Sequence, residues 1–207
     1  MLFAAILALA SASAAAAAPA LSARQTPVGP QCAGLGPGAF DIASNFTLAA
    51  WNATGSNAND TGVPLVLGQA GAVDGAEFKI LSTWASFPYD DFPELSLEHG
   101  ALSGTGPMGN VAAAGNVTAG IPPGFIVPGS SIETPFQIYC GVADTDPAHG
   151  GLPQLAVFGD TDSFSLCPAS HAPLAQTNVV YKPSADNYGE YLFDECYPVK
   201  LHIVGLY

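Results

Sequence analysis

Only four side chains in this 207-residue chain carry a permanent positive charge: Arg24, Lys79, Lys182 and Lys200. Against them stand 17 Asp and Glu, for a formal net charge of −13 at pH 7. Four scattered cations cannot form a basic stripe, so neutralising a nucleic-acid backbone is excluded. The same scarcity removes electrostatic attraction to anionic lipid heads. An acidic, lysine-poor surface suits an acid external medium and resists trypsin-like proteases, although solubility through self-repulsion accounts for it equally well.

Helical periodicity is also missing. With 18 prolines and 23 glycines, no window of about twelve residues beyond the N-terminal run keeps an apolar helical stripe. Catalytic signatures are equally scarce. No Gly-x-Ser-x-Gly elbow is present, so His149-Gly150-Gly151, superficially similar to an esterase oxyanion loop, reads as a glycine-rich turn. His99, His171 and His202 have no motif context. No two cysteines lie close together and no histidine falls at ligand spacing, which argues against zinc. Asp144-Thr145-Asp146 and Asp160-Thr161-Asp162 could offer alternating carboxylates to Ca²⁺. Neither continues into an EF-hand loop, and between strands such aspartates cap turns; Asp90-Asp91 reads as a solvent-facing loop. Glu77, Glu94, Glu98, Glu133, Glu190 and Glu195 are available for a glycosidase pair, which needs two of them to face one cleft. No metal or cofactor is expected.

What is present begins with an apolar run, Met1-Leu2-Phe3-Ala4-Ala5-Ile6-Leu7-Ala8-Leu9, followed by alanines to Ala18. This pattern is a secretory signal peptide over residues 1–18, with cleavage between Ala14 and Ala20 and the site after Ala18 preferred. It is too short and alanine-rich for a membrane anchor. Residues 19–39 read as an extended arm fixed at Cys32, and residues 40–207 as a single β-domain. Export makes two disulfides the expected state of Cys32, Cys140, Cys167 and Cys196. Cys167 and Cys196 close the shorter loop beside apolar runs, so they pair; Cys32 with Cys140 follows by elimination. Sequons at Asn45, Asn52, Asn59 and Asn116 add N-glycosylation, and the first three recur every seven residues along a polar segment.

Short apolar runs separated by Gly, Pro, Asn and Asp predict strands near 46–51, 63–67, 77–84, 94–98, 136–142, 154–158, 164–167, 178–181 and 197–207. In the last, Val199, Leu201 and Ile203 alternate with Lys200 and His202, which puts the latter two on an outward face. A hairpin is expected to turn at His99-Gly100. Residues 103–135, rich in Gly, Ala, Pro and Ser, read as a mobile excursion with at most one short hairpin. There is no sustained repeat, so a solenoid or propeller is not expected. The fold class is all-β, a compact β-barrel or β-sandwich with short strands and long Gly/Pro-rich loops.

The C-terminal order is Leu155-Ala156-Val157-Phe158-Gly159-Asp160, then Phe164-Ser165-Leu166-Cys167, Thr177-Asn178-Val179-Val180-Tyr181 and Cys196-Tyr197-Pro198-Val199-Lys200-Leu201-His202-Ile203. It resembles the end of fungal cell-wall proteins of the phialide-associated type and the four-cysteine domain of PIR wall proteins. Leu95-Ser96-Leu97-Glu98-His99-Gly100-Ala101-Leu102 is similar to a hairpin those families carry upstream. The glutamine-containing repeats through which PIR proteins attach to glucan are absent, and Cys32 stands without the extra N-terminal cysteine pair of the phialide type. The resemblance implies a secreted, disulfide-bonded fungal β-domain associated with the wall or external matrix. Taken with the signal peptide and the sequons, the first reading is a non-enzymatic wall or matrix glycoprotein with wall polysaccharide as a partner. A second reading is a carbohydrate-binding module. In it Trp84, Phe87, Tyr89 and Phe92 of loop 84–92 stack on sugar rings, unless Trp84 and Phe87 instead fill the core. A small secreted hydrolase is the third.

Overall fold

The computed structural model describes residues 28–129 and 134–205. The expected signal peptide, the first part of the arm and Glu133 lie outside the described residues. The strands run in order β1 (Ala39–Phe40), β2 (Ile42–Asn52), β3 (Val63–Val73), β4 (Ala76–Thr83), β5 (Glu94–Glu98) and β6 (Ala101–Thr105). They continue with β7 (Val111–Ala114), β8 (Gly124–Pro128), β9 (Tyr139–Val142), β10 (Gln154–Val157), β11 (Phe164–Pro168), β12 (Thr177–Tyr181) and β13 (Tyr197–Val204). All observed pairings are antiparallel.

Nine strands close a barrel in the order β2-β5-β6-β7-β8-β4-β12-β11-β13, with β13 returning to β2. Strand β3 bridges β2 and β4, so the N-terminal strands β2 to β8 also form a complete circuit of their own. Strands β10, β9 and β1 extend the sheet beyond the ring. Two ring strands divide one edge between two partners. Strand β4 meets β8 through 76–80 and β12 at Ser82, while β13 meets β11 through 197–199 and β10 at His202.

Alternation decides the packing. Phe46, Leu48 and Ala50 of β2, Leu65 and Leu67 of β3, and Val199, Leu201 and Ile203 of β13 belong to one buried apolar cluster. Residues spaced by two share a face, so each strand contributes a file of side chains to the interior. Between β5 and β6, His99 at φ 50° and Gly100 at φ 83° make the two-residue turn with both central residues left-handed. Glu98 accordingly lies opposite Ala101.

The expectation of a mobile excursion over 103–135 is overturned. Its first residues complete β6, and the same stretch supplies β7 and β8, which link β6 to β4 and are part of the barrel wall. Ala112, Ala113 and Ala114 are all buried, so both faces of β7 are covered and no polar residue alternates with the apolar ones. Close packing demands the small residues. A Cβ on Gly104 would lie 3.1 Å from Leu67 and 3.2 Å from both Leu95 and Phe92.

Two disulfides are present, Cys32–Cys140 and Cys167–Cys196. The first ties the segment before β1 to β9, and the second ties β11 to the start of β13. Their ends are separated by 108 and 29 residues respectively. In the chain-entropy picture the longer loop contributes about 4.8 kcal/mol and the shorter about 3.6 kcal/mol. Urea unfolding of the two double-alanine variants therefore ranks Cys32→Ala/Cys140→Ala as the less stable. The reverse ranking would show that the C-terminal bridge does more than restrict the unfolded chain.

Candidate functional site

The densest group of titratable side chains lies where β13 meets β10. A cleft of about 450 Å³ is bordered by Asp144, His149, Gln154, Asp160, Asp162 and Lys200. Lys200 and Gln154 come from strands, whereas the acids and His149 come from the turns before and after β10. Asp144 Oδ1 accepts the backbone N–H of Asp146 at 2.8 Å, and Asp160 Oδ1 accepts that of Asp162 at 2.8 Å. Both Asp-Thr-Asp clusters therefore cap turns, the reading that competed with Ca²⁺ binding.

The remaining carboxylate atoms are also engaged. Asp144 Oδ2 accepts from Gln154 Nε2 and lies 3.0 Å from His149 Nδ1. Asp160 Oδ2 accepts from the Tyr181 hydroxyl at 3.0 Å and lies 3.5 Å from Lys182. Lys200 Nζ contacts Asp162. Burial pushes the Asp144 carboxyl upward, but the Asp146 N–H, His149 and the charge of Lys200 together outweigh it and hold the group below its ordinary range. Asp160 behaves alike: burial raises it, and hydrogen bonds from Ser163 and Tyr181 with the charge of Lys182 bring it down. Burial lowers Lys200 despite Asp144 and Asp160.

His202 corrects the sequence reading. It lies on the non-core face of β13, as the alternation requires, but it is fully buried. Trp51 stacks on it at 5.9 Å between ring centroids. Gly150, at φ 83°, presses so close that a Cβ there would come within 2.7 Å of the imidazole Cε1. The turns at 59–62 and 147–151 thus cover what alternation alone assigns to solvent. His202 Nδ1 lies 2.9 Å from the Thr61 carbonyl, so it donates, and Nε2 has no hydrogen-bond partner. Burial lowers the affinity of this imidazole for a proton, against the opposite pull of the Thr61 and His149 carbonyls and of Asp144.

Chemically, the Asp144–His149 pair can orient an imidazole, but among the described residues no hydroxyl or thiol hydrogen-bonds to His149 to serve as a nucleophile. The described residues contain no group of three or more His, Cys, Asp and Glu placed to hold a metal ion. All four cysteines are consumed by disulfides. The cleft is therefore a set of mutually satisfied charges that fastens two turns to β13.

The aromatic loop is divided by the fold. Trp84 is 43% exposed and Tyr89 63%, Phe87 is half-buried, and Phe92 is buried at 5%. Phe87 and Tyr89 meet edge to face at 5.2 Å. Phe92 packs with Leu48, Leu65, Leu67, Leu81 and Leu95 and belongs to the core, which removes it from any binding surface. Leu95 follows three residues later, and that apolar spacing was the available sign that the segment turns inward before β5. Among the sequon asparagines, Asn45, Asn59 and Asn116 are exposed and Asn52 is half-buried. Among the described residues, no helix is long and apolar enough to cross a membrane. No known family model, curated protein or solved structure matches the chain.

The site has a pH signature. His202 starts from an ordinary value of 6.5 and is lowered by folding, so as pH falls the unfolded chain takes up the proton first. Stability is full above 6.5 and declines below it. Asp144 and Asp160, lowered from 3.8, add a second decline below that value by the same linkage. Urea midpoints measured from neutral pH downward should show both, and His202→Asn should remove the first while keeping the second. A midpoint that does not fall between about pH 7 and 5 would contradict the assignment of His202.

Proposed function

We propose that this chain is a secreted, non-enzymatic glycoprotein of a fungal cell wall or external matrix. The observation that carries the reading is a barrel cross-linked by two disulfides with three of its four sequon asparagines exposed. Disulfides persist in oxidising compartments, and a glycan requires an asparagine that faces water. Phe46, Phe125, Phe164 and seven leucine or isoleucine side chains of the ring strands, each less than 2% exposed, belong to one apolar core. The likeness of residues 155–206 to wall proteins agrees with this assignment.

Fractionation of producing cells is the direct test. The protein should be found in the medium or wall fraction, without residues 1–18, and should lose apparent mass on treatment with an N-glycosidase. Recovery only inside cells with those residues attached would end the proposal.

A second reading, carbohydrate binding through loop 84–92, is favoured by the exposure of Trp84 and Tyr89 on one short segment. Trp84→Ala and Tyr89→Ala should then each weaken polysaccharide retention several-fold, since an aromatic stacking contact contributes about 1 kcal/mol. Retention unchanged in both variants would remove the loop from consideration.

A further inference from the structure

On another part of the surface, the connection between β12 and β13 faces the segment between β7 and β8 across a groove of about 700 Å³. Tyr188 stands on its rim, 94% exposed and at φ 54°. A bulky L-residue in the left-handed region is uncommon, and glycine or asparagine is the usual occupant. A ring so exposed gains almost nothing from the core, so packing does not explain why Tyr188 holds this conformation.

Its surroundings are firmly built. Asn187, buried at 8%, donates from Nδ2 to the Tyr191 carbonyl at 2.9 Å and accepts the Gly189 N–H at 2.9 Å. Tyr191 is buried against Cys167 and Val180. Its hydroxyl accepts the Ser184 N–H at 2.8 Å and donates to the Ser184 carbonyl at 3.1 Å. The scaffold is braced on both sides while the ring it carries is presented to water. The backbone that carries the ring is fixed, so binding has only the Tyr188 rotamer left to order.

The other lining groups define the ligand. Ile121, 54% exposed, offers a second apolar surface. Asp186 and Glu190 are exposed carboxylates, and acceptors of this kind suit donating hydroxyls. A polyanion is disfavoured by both acids and by the net charge of −13. Lys182 also lines the groove, its ammonium 5.0 Å from the Tyr181 ring centroid and paired with Asp160 at 3.5 Å. An exposed aromatic ring, an aliphatic side chain and two acceptor groups together fit a chain with apolar faces and many donating hydroxyls.

We propose that this groove binds a neutral polysaccharide, with one pyranose ring stacked on Tyr188 and its hydroxyls donating to Asp186 and Glu190. The site is separate from loop 84–92 and rests on the matrix reading only for the source of its ligand. Full-length secreted protein is run in affinity electrophoresis against laminarin and soluble mannan as neutral probes, with chitosan and polygalacturonate as charged ones. The runs are repeated after N-glycan removal, because Thr118 of the Asn116 sequon lines the same groove. Wild type should be retarded by a neutral probe. Tyr188→Ala should weaken that retention at least tenfold, while Tyr188→Phe and Trp84→Ala retain it. An unreduced melting temperature shows that Tyr188→Ala is folded. The proposal is overturned if neither neutral probe binds with or without N-glycans. It is equally overturned if only a charged probe binds, or if Tyr188→Ala binds like wild type. Protein recovered from the wall fraction that fails these tests refutes the groove and leaves the matrix assignment standing.

Discussion

Closure of the barrel depends on β13. Through residues 199–204 it pairs with β2, and along its other edge it holds β11 and then β10. The sequence meets this demand with Val199, Leu201 and Ile203 facing the core and with Lys200 and His202 on the opposite side. A one-residue slip would exchange the two faces and bury Lys200 among leucines. The apolar file of one strand thus sets the register of the C-terminal half. The Cys167–Cys196 bridge, attached where β13 begins, lies beside the same junction.

Polar groups follow from that geometry. A strand that pairs along both edges and packs its inner face has only one face left, and here two turns fold over it. Asp144, Asp160 and Asp162 neutralise or accept from groups on β10, β12, β13 and the following turns. His202 receives one backbone acceptor and keeps one bare nitrogen. The barrel therefore has two environments in contact: an apolar interior and a charged seam of mutually paired side chains outside β13. Lys79 extends the same pattern at another place, buried at 3% on β4 with Gln69, Glu77 and Asp91 around its ammonium.

Much of the wall was legible in the residues. Strands with one buried face alternate visibly, and β5, β10, β11, β12 and β13 coincide with apolar runs bounded by turn residues. The positive-φ pair at His99-Gly100 follows from the glycine. The cysteine pairing follows from loop length and compartment. Two kinds of feature were hidden. Strand β7 is built from Ala112, Ala113 and Ala114, all buried, and alanine carries no alternation when both faces are covered. Strand β8, with only Phe125 buried, presents no alternating apolar file either. The burial of His202 and the exposure of Tyr188 depend on which turn lies over which strand, a relation between distant segments that periodicity does not contain.

The strut formed by β3 has a temporal consequence. Strands β2 to β8 complete a circuit that needs no residue beyond Pro128, and the nine-strand ring is reached only when β11, β12 and β13 are added. A polypeptide made from its N-terminus therefore has a self-contained set of pairing partners well before its last third exists. The late strands arrive at an edge already prepared on β2 and β4. The order of the strands permits assembly in two stages, since the smaller circuit shares β2 and β4 with the larger.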